Sequence, residues 1–244
     1  MEESNRRFFI EYKNAFRGTL AINSQQWLGK GAAKTTHSAV LSIFNAPSAD
    51  APGSNNGHGG HGHALGRKSN EPVVAKRFYF ASNVVPRTGL VPKEAKITRY
   101  SYEHERRKVE AEANLLYWAD SLMSLANSWI KTQIAQRTNE GDPCPLTIPQ
   151  LRFVRGGVAL VQDACHTREP GKLYYQPKAT YLIKEVIPSE LGEFTKYVHN
   201  VDATPQLPSF GGPAYDIAEF LCFVQHLQYW KTDAMVYISD FQGM

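Results

Sequence analysis

Cysteine is scarce in this chain, and long apolar runs are missing altogether. Cys144, Cys165 and Cys222 are spread over 244 residues and none forms a CxxC pair. That pattern excludes a disulfide-stapled fold and points to a reducing intracellular setting, most simply the cytoplasm. No stretch approaches the roughly 18 consecutive apolar residues that a membrane-spanning helix needs. No membrane partner is therefore expected. The opening residues, Met1-Glu2-Glu3-Ser4-Asn5-Arg6-Arg7, lack the apolar core of a secretory signal. A strong charge of one sign is also lacking. With 27 basic and 23 acidic side chains the formal charge is +4. Such a balance suits a small anionic ligand such as a nucleotide, and gives no basis for DNA or RNA binding. A Walker A phosphate loop is absent as well, because no GxxxxGK[ST] run opens a helix.

The apolar residues that are present follow two periods. Short β-rich runs predict strands at residues 8–12, 19–22, 35–44, 72–80, 151–154, 158–162, 174–187 and 234–239. Leu115, Leu116, Trp118, Leu122, Leu125 and Trp129 recur near helical spacing and predict a long helix over residues 102–136. A second helix is predicted over 214–229, and a short one at 188–191, where Pro188 suits a helix start. Residues 46–70 are rich in Gly, Ser, Asn, Pro and His, with too few apolar side chains to offset the entropy of ordering. They read as a mobile insertion. Its histidines, His58, His61 and His63, are weak candidates for a metal site. The sum is an α+β chain in two lobes, residues 1–187 and 188–244.

Four segments carry candidate chemistry. Gly29-Lys30-Gly31-Ala32-Ala33-Lys34 lies between two predicted strands. Small residues there would let backbone N–H groups approach a phosphate, with Lys34 adding a positive charge. An ordinary hairpin has the same composition. Lys76 interrupts the apolar run Val73-Val74-Ala75-Lys76-Arg77-Phe78. Strand alternation puts it on one face with Val74, where it would meet phosphate as a point charge or simply face water. Glu103, Glu105, Glu110 and Glu112 on the long helix are candidates to pair with it. The run Ala179 to Ile187 followed by Gly192-Glu193-Phe194-Thr195-Lys196-Tyr197 has the character of a hinge, whose backbone near Glu185 and Ile187 would contact an adenine edge. Ile238-Ser239-Asp240-Phe241-Gln242-Gly243 offers a carboxylate and an amide oxygen two residues apart, hard donors suited to magnesium.

A glycine turn, a strand lysine, a long helix, a hinge strand and a terminal aspartate, in that order, are the layout of a phosphoryl-transfer domain. These segments, with Phe223-Val224-Gln225-His226, resemble the alpha-type atypical protein kinase family from about Leu28 onward. The resemblance implies a kinase-like bilobal fold, mostly the N-lobe with a partial C-lobe. It implies transfer of the ATP γ-phosphate to serine or threonine of a protein substrate, with magnesium. Lys76 would bind the α- and β-phosphates, and Gly29, Gly31 and Lys34 would form the glycine loop. Glu185 and Ile187 would lie at the adenine hinge. Asp240 would act at the γ-phosphate, with Asp240 and Gln242 binding magnesium. His226 would match one ligand of a structural zinc, whose other ligands the family carries beyond the Asp-x-Gln-Gly segment, where this chain stops. A catalytically inactive module that binds nucleotide or protein is the alternative.

Overall fold

Alternation is strict where the strands are central. In the strand over Glu71–Phe78, residues 71, 73 and 75 are buried while 72, 74 and 76 are exposed or half-buried. The period of two sorts one face toward a core and leaves the other, with Pro72, Val74 and Lys76, more open. The computed structural model describes residues 15–44, 65–66, 68–82, 96–144, 147–166, 173–188, 190, 192–210 and 212–244. The strand predicted at 8–12, the insertion as far as residue 64 with His58, His61 and His63, and Ser189 and Leu191 of the short helix lie outside them.

The elements in order are β1 (Gly18–Lys30), β2 (Lys34–Ile43), β3 (Glu71–Phe78), β4 (Phe80–Ser82), β5 (Lys96–Thr98), α1 (Tyr102–Asn139), β6 (Gly156–His166), β7 (Leu173–Glu185), β8 (Thr195–Lys196), α2 (Pro213–Lys231) and β9 (Gln242–Gly243). This is the α+β class. The described residues divide into two compact units.

The first unit holds residues up to Phe44, Leu65 to Leu115, and Val154–Val186. Its centre is an antiparallel sheet in the order β1-β2-β3-β7-β6, with β4 and β5 paired beside it. One face builds a core from Ala39, Leu41, Val73, Ala75 and Ile183, with Leu65 packed against it. The tail of the expected insertion is thus anchored: Leu65 joins the core, the Gly66 N–H donates to Glu71, and Asn70 bonds Ser42. The early part of α1 is fastened to the sheet by carboxylates. Glu105 is fully buried, and its side chain accepts from Arg77 at 2.7 Å and from the Thr180 N–H at 2.9 Å.

The second unit holds Leu116–Phe153 and Ile187–Met244. Residues 116–153, which sequence grouping placed in the first lobe, therefore pack with the C-terminal segment. The reason is visible in the core: Met123, Ala126 and Ile130, one stripe of α1, are buried with Leu221, Val224 and Leu227 of α2 and with Phe241. The helix α2 starts at Pro213, just after Gly212 at φ 62, and stops at Thr232, whose N–H donates to Gln228 O.

Two predicted strands do not form. Residues 151–154 are irregular, with Leu151 and Phe153 packed on the second core. Residues 234–239 are also irregular. Among the described residues no strand pairs with them, and side chains of α2 bond the peptide groups of Ile238 instead. Gln225 Nε2 donates to Ile238 O at 2.7 Å, and the Ile238 N–H donates to Gln228 Oε1 at 2.9 Å. Thr232 Oγ1 serves Val236 in the same way.

Candidate functional site

In the first unit the glycine segment is the tight connection between β1 and β2. The Gly31 N–H donates to Lys34 O at 2.9 Å and so closes the turn, which removes it as a phosphate donor. Tyr79 braces the turn from beneath, its hydroxyl donating to Gly31 O at 2.6 Å and its N–H to Ala33 O at 2.9 Å. Gly29 sits in β1 opposite Thr36, and a side chain there would meet nothing within 4 Å. The glycines therefore make a small, open, braced hairpin rather than a ring of free N–H groups.

Lys34 follows directly, at the start of β2. Its Nζ lies 2.5 Å from Glu112 Oε1 and 2.6 Å from Oε2, and 5.2 Å from the centre of the Phe78 ring. Lys76 lies on β3 opposite Thr36 on one side and Leu182 on the other. Of the helix glutamates proposed for it, Glu112 is bound to Lys34, Glu105 to Arg77, and Glu103 and Glu110 face Arg106 along the helix. Glu112 still acts on Lys76 at a distance. Burial and the neighbouring Lys34 charge push the Lys76 pKa down, and Glu112 offsets them in part.

Glu185, at the end of β7, is buried and belongs to an ionic network. Its carboxylate accepts from the Arg155 N–H at 2.7 Å and from Arg155 Nε at 2.8 Å, while Arg155 also reaches Glu71. Its own N–H donates to Arg155 O at 3.0 Å. That N–H is thus unavailable to an adenine edge. Ile187 is half-buried and begins the second unit.

In the second unit Asp240 and Gln242 are exposed, and Phe241 between them is buried. Phe241 stacks on Phe153 with centroids 6.1 Å apart, and its carbonyl accepts from the Tyr197 N–H at 2.9 Å. Anchoring the middle residue turns both oxygen-bearing side chains outward. Asp240 does not end a strand. It has φ 60, a left-handed conformation that aspartate tolerates better than most residues. Pairing of β8 with β9 sets Lys196 opposite Gln242, and Lys196 Nζ lies 2.6 Å from Asp240 Oδ1.

His226 is exposed on α2. With its Nδ1 protonated it donates to Cys222 O at 2.9 Å. The Cys222 thiol is buried, and burial together with Glu219 and Asp202 raises its pKa, against the thiolate that zinc requires. Among the described residues no three His, Cys, Asp or Glu side chains are grouped to hold a metal. The donor set here does not fit a closed zinc site. Asp240 with Gln242 does fit magnesium chemically, since that ion takes one or two protein oxygens and completes its shell with water and phosphate.

Sequence reasoning did not single out Lys184, Lys196, Arg155 or Phe241, which the structure sets beside the expected residues. Lys184 had a signal like that of Lys76, a lysine directly after apolar strand residues. The other three depend on pairings distant in sequence.

The structure is similar to solved alpha-kinase domains. One is the alpha-kinase domain of myosin heavy chain kinase A in complex with AMP, at 14% identity and TM-score 0.47, covering 93% of this chain and 72% of that one. Others are the same domain with AMPPCP, at 13% identity and TM-score 0.48, and with ADP, at 11% and 0.46; each match covers 93% of this chain and 70% of that one. Neither a protein-family model nor a curated protein sequence matches the chain.

Proposed function

We propose that this chain is the nucleotide-binding part of an alpha-type serine/threonine protein kinase, which takes ATP with magnesium and passes the γ-phosphate to a protein substrate. The observation that carries the reading is Lys76. It is a half-buried cation on the sheet face behind the β1–β2 hairpin, with no carboxylate in ion-pairing distance among the described residues. A cation so placed is stabilised by a bound anion, and phosphate is the anion a kinase-type strand lysine meets. Lys34 at the hairpin adds a second positive charge. The backbone at Ile187 takes the adenine edge.

Asp240 and Gln242 would hold the magnesium, whose charge would neutralise phosphate oxygens. Lys196 holds the Asp240 carboxylate in one orientation. The same ion pair favours a second reading, a module that binds nucleotide or protein without catalysis, because Lys196 already neutralises the carboxylate.

Calorimetry with ATP, in the presence and absence of magnesium, tests the first part. Lys76→Ala is expected to weaken ATP binding in both conditions, and Asp240→Ala only the magnesium-dependent part. No ATP binding by the parent chain sinks the nucleotide reading. Transfer of labelled γ-phosphate to a protein substrate, lost in Asp240→Ala, separates the kinase from the inactive module.

A further inference from the structure

Three adjacent strands place a lysine each on one face of the first unit's sheet. Residues directly opposite in an antiparallel pair point to the same side, and so do residues two apart in one strand. Lys34 stands opposite Phe78, Lys76 opposite Thr36 and Leu182, and Lys184 opposite Val74. Lys34, Lys76 and Lys184 therefore form a diagonal row across β2, β3 and β7. Each step is a diagonal cross-strand neighbour, typically about 7–8 Å apart. On its far side Lys184 faces Gly156 of β6, which presents no side chain.

Solvated strand lysines do not look like this. Lys76 and Lys184 are only partly exposed, and the Lys34 and Glu112 side chains retain 28% and 21% of their exposure. Three cations face one carboxylate, Glu112, which contacts Lys34 through both oxygens. Among the described residues no other acidic group pairs with the row. Burial followed by the Lys76 charge pushes the Lys184 pKa down, with Lys34 adding to the effect and Glu112 opposing it. The row is thus an under-neutralised positive strip in a partly dry setting, where charge-assisted contacts are strong.

We propose that Lys184 is a third anion-binding residue of this face, and that Glu112 is an internal stand-in for phosphate that leaves Lys34 when a polyphosphate arrives. The ligand class is a linear polyphosphate, such as the tail of a nucleoside triphosphate; a lone phosphate spans too little of the row. The inference deepens the nucleotide reading and rests on it for the identity of the ligand, though not for the chemistry of the strip. Displacing Glu112 makes affinity rise with the number of phosphates, because only a multiply charged ligand supplies enough attraction to replace an existing ion pair.

The test is calorimetry of the full chain with inorganic tripolyphosphate and, separately, ATP, using the parent, Lys184→Met and Glu112→Gln. Lys184→Met is expected to weaken tripolyphosphate by about tenfold or more, the scale of one charge-assisted contact. Glu112→Gln is expected to tighten it, since the competing carboxylate is gone. Melting curves without ligand check that both variants fold, and their opposite shifts in affinity are not what a general loss of structure produces. Lys184→Met binding tripolyphosphate like the parent overturns the role of Lys184. Weaker binding by Glu112→Gln overturns the displacement. Tripolyphosphate binding that depends on Lys184, without ATP binding, keeps this inference and removes the nucleotide reading. ATP binding lost in Lys76→Ala but unchanged in Lys184→Met does the reverse.

Discussion

A lysine on a sheet face costs stability when burial and like charges surround it, and Lys184 shows how that cost becomes measurable. Its pKa is lowered from the ordinary 10.5 chiefly by burial, then by the Lys76 charge. A lowered lysine pKa means the folded state disfavours the proton. Below the folded pKa both states are charged and the penalty is fully present. As pH rises from that value to 10.5 the folded chain releases a proton the unfolded chain still holds, so the parent gains stability. Lys184→Met is thus expected to raise the melting temperature at pH 7, with the advantage shrinking as pH climbs through that window. Scanning calorimetry across pH checks it, and a melting temperature lowered at pH 7 refutes it. Glu105 is the opposite case, a fully buried carboxylate satisfied by Arg77 and the Thr180 N–H. Its position seven residues before Glu112 puts both on one side of α1, so one helix face supplies the carboxylates that tie it to the sheet.

At the scale of elements the segment from α2 to β9 is the informative one. Its apolar sequence, Met235-Val236-Tyr237-Ile238, reads as a strand. A strand needs a partner for its peptide groups. Here Gln225 and Gln228, buried on α2, provide side-chain amides instead and hold Ile238 in an irregular path. Replacing Gln228 by Leu keeps similar bulk but leaves the Ile238 N–H unpaired. The expected loss is about 1 kcal/mol, the net worth of one hydrogen bond, read from a urea melt. An unchanged midpoint argues against the clamp. The α2 pattern itself was legible, since Leu221, Val224 and Leu227 recur at helical spacing and are buried. So was β3, whose alternation survives intact. Asp240 and Gln242 are both exposed, but not through a strand's period of two, since Asp240 has a left-handed backbone. What holds them was not legible: Phe241 stacks on Phe153, some 90 positions earlier, and Lys196 meets Asp240 across β8 and β9.

On the scale of the molecule, each unit has its own apolar core, and among the described residues no helix is long and apolar enough to cross a membrane. The net charge of +4 is small, so affinity for anions depends on where cations converge rather than on their number. Tripolyphosphate is expected to raise the melting temperature of the whole chain, by the equivalent of about 2.7 kcal/mol at a hundredfold excess over its Kd. Added sodium chloride is expected to reduce that gain, since part of the attraction is screened. Differential scanning fluorimetry over a salt series checks both, and a melting temperature indifferent to tripolyphosphate at low salt removes the positive strip as a binding feature. By itself the sequence determined the α+β class, the long helix, most strands, the order of the candidate segments and the lack of a disulfide framework. These follow from composition and from periods of 2 and 3.6, which are properties of neighbouring residues. Only the tertiary structure decided that Lys184 stands in line with Lys76 and Lys34, that Glu112 rather than another glutamate answers them, that residues 116–153 pack with α2, and that residues 234–239 are not a strand. Those outcomes rest on strand register and on side chains reaching across the fold. Neither leaves a local pattern in the chain.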